Sequence, residues 1–110
     1  MQLKWGIVGA GRICYDFCLA LLTCDSHEHV IIAISSRDTT GADNIVKELD
    51  LGNQVCTYGS QEELFQDPNV DIAYIGTMEH FRRDLCIKAL NHNKHVLCEK
   101  PLAMNADEVQ

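Results

Sequence analysis

Trp5-Gly6-Ile7-Val8-Gly9-Ala10-Gly11-Arg12-Ile13-Cys14 begins as an apolar strand, passes a glycine turn and runs into a helix. A chain built this way presents bare main-chain amides to an anion. Gly9 permits a tight turn, and Gly11, having no side chain, lets the backbone approach phosphates at the positive N-terminal end of the next helix. The ligand implied is a dinucleotide, with its pyrophosphate on the turn. The third glycine of G-x-G-x-x-G is missing, and Cys14 stands at the position that packs helix against strand, where a small side chain is tolerable. Two glycines at an ordinary strand-to-helix turn would read the same way, so the turn needs support from the rest of the chain.

That support is periodic. Apolar strand-like runs recur at Leu3 to Val8, Val30 to Ser35, Val55 to Tyr58, Asp71 to Gly76 and His95 to Cys98, with helical patterns between them. Ile13, Phe17, Ala20 and Leu21 form one apolar stripe through the first helix. The second helical segment runs from Thr40 to Leu51 and ends at Gly52, a good C-terminal stop. Ser60 with Glu63 makes a capping box for a short helix that Asp67-Pro68 closes. Phe81, Leu85 and Ala89 give the fourth helix its inner face. Strands separated by helices must be parallel and joined by right-handed crossovers, so the fold class expected is α/β, an open doubly wound parallel sheet of the Rossmann type.

At 110 residues the chain suits one domain. Asn105-Ala106-Asp107-Glu108 reads as a helix start, with Asn105 as cap and Glu108 reaching back. The expectation is therefore a Rossmann domain over residues 1–110, truncated at its C-terminal end. Formal net charge is -7 and the 9 Lys and Arg residues are scattered, which removes the electrostatic footprint of a nucleic-acid binder. No apolar run approaches the roughly 18 residues that span a bilayer, and the apolar start around Trp5 carries no cleavage-like end. These features point to a cytoplasmic protein with a small-molecule substrate, and to no membrane partner. The 6 cysteines contain no C-x-x-C pair, so free thiols in a reducing compartment are expected. Cys14 and Cys18 share a helical face, but no third ligand has matching spacing, and no metal is expected.

In such a sheet the ligand lies outside the carboxyl ends of the strands, where strand order reverses. The second strand ends in Ser35-Ser36-Arg37. A carboxylate there would accept the ribose hydroxyls of NAD, whereas hydroxyls and a guanidinium bind a 2′-phosphate through charge-assisted bonds, so the cofactor implied is NADP. Asp38, one or two positions late, is the alternative ribose acid. The fourth strand delivers Gly76-Thr77-Met78-Glu79, and the fifth delivers Glu99-Lys100-Pro101. A lysine beside a cationic nicotinamide has its pKa lowered by the like charge and can steady a developing alkoxide. Pro101 fixes that turn, and Glu99 orients Lys100 or caps the turn. Taken alone, Glu-Lys-Pro would be a surface turn.

Together, Gly9-Ala10-Gly11, Gly76-Thr77 and Val96-Leu97-Cys98-Glu99-Lys100-Pro101 resemble the glucose-fructose oxidoreductase and inositol dehydrogenase superfamily. Lys4-Trp5-Gly6-Ile7-Val8, Ser36-Arg37-Asp38, Tyr58-Gly59-Ser60, Glu63-Leu64, Asp67-Pro68-Asn69-Val70 and Ala73-Tyr74-Ile75-Gly76-Thr77 are similar to its dihydrodiol- and xylose-oxidising branch. The resemblance covers essentially the whole chain. It implies a Rossmann domain followed by a second α/β domain, absent here, whose sheet forms the substrate floor and a homodimer contact. It also implies NADP-linked oxidation of trans-dihydrodiols of aromatic hydrocarbons to catechols, and of D-xylose to a lactone. On that basis the cofactor-binding residues are Gly9, Ala10, Gly11, Arg12, Ile13, Ser36, Arg37, Gly76, Thr77, Glu99 and Lys100, with Lys100 also catalytic. The tyrosine acid/base belongs to the later domain. The family's histidines after Gly-Thr are replaced by Glu79 and Arg82, with His80 offset by one, which changes the local charge. Two other classes remain open: a non-catalytic dinucleotide sensor, which needs no Lys100, and an adenosyl-methionine methyltransferase, which wants an acid where Ser36 and Arg37 sit.

Overall fold

The apolar runs and helical stripes become β1 (Leu3–Val8), α1 (Arg12–Leu22), β2 (His29–Ser35), α2 (Thr40–Glu48), β3 (Cys56–Tyr58), α3 (Gln61–Phe65), β4 (Ile72–Ile75), α4 (Glu79–Asn91) and β5 (His95–Cys98). The computed structural model describes residues 2–76 and 79–98, and residues 79–82 by backbone only. The sheet order is β3-β2-β1-β4-β5 and every pairing is parallel. The order reverses between β1 and β4, so the chain winds outward twice from the centre.

Successive strand residues point to opposite faces, and each face acquires its own core. Trp5, Ile7, Ile31, Ile34 and Tyr74 meet α1 and α2 through Cys14, Cys18, Leu21, Ala42 and Ile45. Val8, Ala33, Ala73 and Ile75 meet α3 and α4 through Leu64, Phe65, Leu85 and Ala89. Phe17 stacks on Tyr74 with ring centroids 3.7 Å apart. At the end of the sheet where strands begin, Lys94 is 8% exposed, and its ammonium donates to the carbonyls of Asp67 at 2.6 Å and Val70 at 2.7 Å.

The serine half of the capping box forms: Ser60 Oγ accepts the Glu63 N–H at 3.2 Å, while the Glu63 carboxylate accepts from the Ser60 hydroxyl at 3.1 Å. Two expectations are corrected. The buried stripe of α1 is Cys14, Cys18 and Leu21; Ile13 and Phe17 flank it half-buried and Ala20 is exposed. The small cysteines allow the helix to lie closer and rotate by about one residue. α2 ends at Glu48, before the expected Leu51 and Gly52. Asp50, at φ 51, takes the left-handed position, with Asp50 N–H bonded to Lys47 O and Leu51 N–H to Val46 O. That is a Schellman stop, with an aspartate where glycine is usual. Finally, Cys86 of α4 and Cys98 of β5 are brought sulfur to sulfur, while Cys14, Cys18, Cys24 and Cys56 stand outside any such pair. A spacing of twelve residues matches no motif, but the return of β5 along α4 brings the two sulfurs face to face.

Candidate functional site

Because all five strands run the same way, their carboxyl ends share one edge, where a cleft of about 630 Å³ opens. Gly9, Ala10, Gly11, Ser35, Ser36, Arg37, Asp38, Gly41, Gly59, Gln61 and Gly76 line it. The sequence motifs after β1, β2 and β4 therefore converge.

The β1–α1 turn is made of backbone. Gly9 sits at φ 114, a conformation that side-chain-bearing residues rarely adopt, and its N–H donates to Ser35 O at 2.9 Å. Gly11 caps α1 with no side-chain hydrogen bond, so the first-turn amides keep their donors. A Cβ on Gly11 would meet no atom within 4 Å. Beneath the turn, the Cys14 thiol is 3.6 Å from Val8 O and 3.7 Å from Gly76 O. A Cβ on Gly76 would lie 2.6 Å from that sulfur, so the side chain gained at Cys14 is accommodated by the one missing at Gly76.

The β2–α2 turn works through side chains. Ser36 Oγ accepts the Ala42 N–H at 2.9 Å, and Asp38 Oδ1 accepts the Thr40 N–H at 3.1 Å. Thr39 occupies φ 68 between them. A Cβ on Gly41 would come within 2.8 Å of Ala10 Cβ, so glycine there lets α2 close on the first turn. With Asp38 engaged in its own loop, the exposed Arg37 is the charged group left at the cleft mouth, and among the described residues it has no ion-pair partner. Ser35 is 1% exposed, and its hydroxyl has no hydrogen-bond partner among the described residues.

Two groups, one in the core under α1 and one at the end of β3, titrate unusually. Burial, and then the neighbouring Cys14, push the Cys18 thiol up to about 12. At the end of β3, burial and the hydrogen bond that Tyr58 donates to Asp67 Oδ2 at 2.8 Å push the phenol above its ordinary value. Both stay neutral at physiological pH.

Of the site residues read from sequence, Gly9, Ala10, Gly11, Ser36, Arg37 and Gly76 come together. Arg12 and Ile13 head α1, but the Arg12 guanidinium turns to Asp16 at 3.5 Å and Ile13 packs on the core. Thr77, Glu99 and Lys100 lie outside the described residues, as do the side chains of Glu79, His80 and Arg82. Cys98 pairs in register with Ile75, so the chain leaves β5 level with the point where it leaves β4. Gly41, Gly59 and Gln61 were not anticipated. Gly41 alone carried a signal, a glycine in the first turn of a helix, whose reason is the contact with Ala10. Among the described residues no three His, Cys, Asp or Glu side chains gather as a metal site, and no helix is long and apolar enough to cross a membrane.

Comparison with known proteins agrees with this geometry. Residues 3–110 match the oxidoreductase family with an NAD-binding Rossmann fold. The trans-1,2-dihydrobenzene-1,2-diol dehydrogenases of Xenopus tropicalis and Mus musculus are 43% and 41% identical over all of this chain, which spans 32% of their length. Among solved structures, myo-inositol dehydrogenase from Lactobacillus casei, in complex with NAD(H) and myo-inositol, superimposes with a TM-score of 0.83 at 25% identity, over 94% of this chain and 30% of that one. An oxidoreductase from Thermotoga maritima gives 0.82 at 30% identity, over 97% of this chain and 32% of its own.

Proposed function

Since the chain belongs to the oxidoreductase family with an NAD-binding Rossmann fold, we propose that it is the NADP-binding part of a dehydrogenase that oxidises trans-dihydrodiols of aromatic hydrocarbons and D-xylose. The observation that carries the cofactor choice is the division of labour in the β2–α2 turn. Asp38 is held by the Thr40 N–H, and Arg37 stands exposed on the cleft wall. The described residues fit a dinucleotide. The glycine turn leaves amides and open space for the pyrophosphate, and Ser36, whose oxygen already accepts from Ala42, keeps its proton to donate beside Arg37 to a 2′-phosphate. When bound, the dinucleotide supplies the two-electron oxidant.

The rest is the chain's own chemistry. Lys100 follows β5 by two positions and holds a substrate hydroxyl, steadying the oxygen as its proton leaves. The substrate class is supported by the dihydrodiol dehydrogenases that match the entire chain. The substrate floor and a homodimer contact are assigned to the part of those proteins beyond the matched segment. A cytoplasmic setting follows from the scattered charge and the small polar substrates.

Titration of the chain with NADPH and NADH tests the cofactor. NADPH is expected to bind more tightly, and Arg37→Ala to weaken NADPH by about 10- to 100-fold while moving NADH less than about threefold. Equal losses for both cofactors would remove Arg37 from the phosphate seat. For Lys100, the chain replaces the matching segment of the Xenopus tropicalis protein. Lys100→Ala in that chimera is expected to cut turnover by on the order of 100-fold with NADPH affinity nearly unchanged.

A further inference from the structure

Thr39 stands at φ 68, a left-handed conformation in which a β-branched residue is an outlier, only two positions from Arg37. It is the N-cap of α2, yet its hydroxyl makes no capping hydrogen bond. We propose that Thr39 is a specificity-determining positioning residue: its methyl group, set against Gly59, braces the β2–α2 turn so that Arg37 meets the 2′-phosphate from one fixed place. The selectivity assigned to it rests on the functional reading above; its hold on the turn does not.

The capping that a threonine ordinarily performs at this position is performed by its neighbours. Ser36 Oγ accepts the Ala42 N–H at 2.9 Å and Asp38 Oδ1 accepts the Thr40 N–H at 3.1 Å, while the main-chain carbonyl of Thr39 accepts the Asp43 N–H at 2.7 Å. What is left to the Thr39 side chain is contact. A Cβ on Gly59, just past β3, would lie 3.6 Å from Thr39 Cγ2, an ordinary van der Waals distance. Thr39 is accordingly half-buried between the exposed Asp38 and Thr40. A left-handed β-branched residue persists only where its surroundings over-determine it, and here the bonds on either side and the Gly59 contact do so.

Arg37 lies between two attachments to the end of β3. The Ser36 N–H donates to Tyr58 O at 3.0 Å on one side, and Thr39 rests on Gly59 on the other. The guanidinium itself is exposed and has no ion-pair partner among the described residues, so the main chain sets where it starts. A long side chain on a wandering turn spreads its charge over many positions and loses more freedom when a ligand orders it; on a braced turn it loses less. NADH carries no 2′-phosphate and does not draw on that placement. The brace therefore bears on the choice between dinucleotides and not on the grip of the pyrophosphate. Glycine at position 39 would accept φ 68 readily, but it would drop the methyl contact and free the turn, whereas valine would keep a methyl against Gly59.

The test compares the full chain with Thr39→Gly, Thr39→Val, Arg37→Ala and the double variant of Thr39→Gly with Arg37→Ala. Thr39→Gly is expected to weaken NADPH by about three- to tenfold and NADH by less than about twofold. Amide exchange at Ala42 and Asp43 should quicken by on the order of tenfold, with residues 9–12 unchanged. Thr39→Val should match the unaltered chain in both readings. With Arg37→Ala in place, Thr39→Gly should no longer move NADPH, which assigns its effect to the guanidinium. Equal losses for both cofactors, or unchanged exchange at Ala42 and Asp43, overturn the brace. If Arg37→Ala abolishes the preference for NADPH and Thr39→Gly retains it, the cofactor reading stands and the brace fails. Should the unaltered chain bind NADPH no more tightly than NADH while exchange quickens in Thr39→Gly, the cofactor reading fails, the selectivity falls with it, and the hold of Thr39 on the turn stands.

Discussion

The two turns facing the cleft work by opposite means. From Gly9 to Gly11 the chain offers main chain only, and from Ser36 to Gly41 it offers a hydroxyl, a guanidinium and a carboxylate, each with its own partner or lack of one. Amides at a helix start attract any phosphate, whereas a guanidinium at a fixed place on the wall favours a ligand with an extra one. On the proposed reading, the first turn accounts for affinity and the second for choice. Mutations should therefore separate the two.

The sharpest separation is expected from Gly11→Val. Its side chain would enter open space in the cleft, so NADPH and NADH should both lose at least about 100-fold in affinity while the unfolding free energy moves by no more than about 1 kcal/mol. Retained binding of either cofactor would take the phosphates off this turn. Below the turn, α1 stakes its stability on a neutral thiol. Cys18 ionises at about 12 when folded against 9.0 ordinarily, so its contribution is whole below pH 9 and is lost as pH climbs through about 12. Urea unfolding across that window should show stability falling by at most about 1.4 kcal/mol per pH unit. Cys18→Ala should flatten that fall; an unaltered slope would assign it elsewhere.

Smaller effects probe the second turn. Ser36→Ala leaves the Ala42 N–H without its acceptor and is expected to cost about 1 kcal/mol in thermal or urea unfolding, with a bias against NADPH. Asp38→Asn preserves an acceptor for the Thr40 N–H and should leave NADH affinity within about twofold. A tenfold loss of NADH there would instead make Asp38 the ribose ligand.

Sequence carried the architecture because each element announced itself locally. Alternating apolar runs marked the strands, and Ser60 with Glu63 marked a helix start that formed as read. The stop of α2 was misread because glycine is the commoner left-handed residue, and Asp50 reached that conformation first. The stripe of α1 was misread because two of its inner residues are cysteines, small enough to pass as incidental. Gly41 showed only as a glycine in the first turn of a helix, and the approach of Cys86 to Cys98 had no local signature at all. Each is explained by a neighbour on another element, Ala10 in one case and the returning strand in the other.

The ammonium of Lys94, swallowed between the carbonyls of Asp67 and Val70, gives the sheet a direction. Where strands begin, positive charge is consumed internally and the fabric is sewn shut. Where they finish, helix amides and Arg37 leave positive charge unspent for a visitor. Substitutions that retune the visitor can accumulate at the finishing edge while the seam at the other edge goes on holding the cloth together.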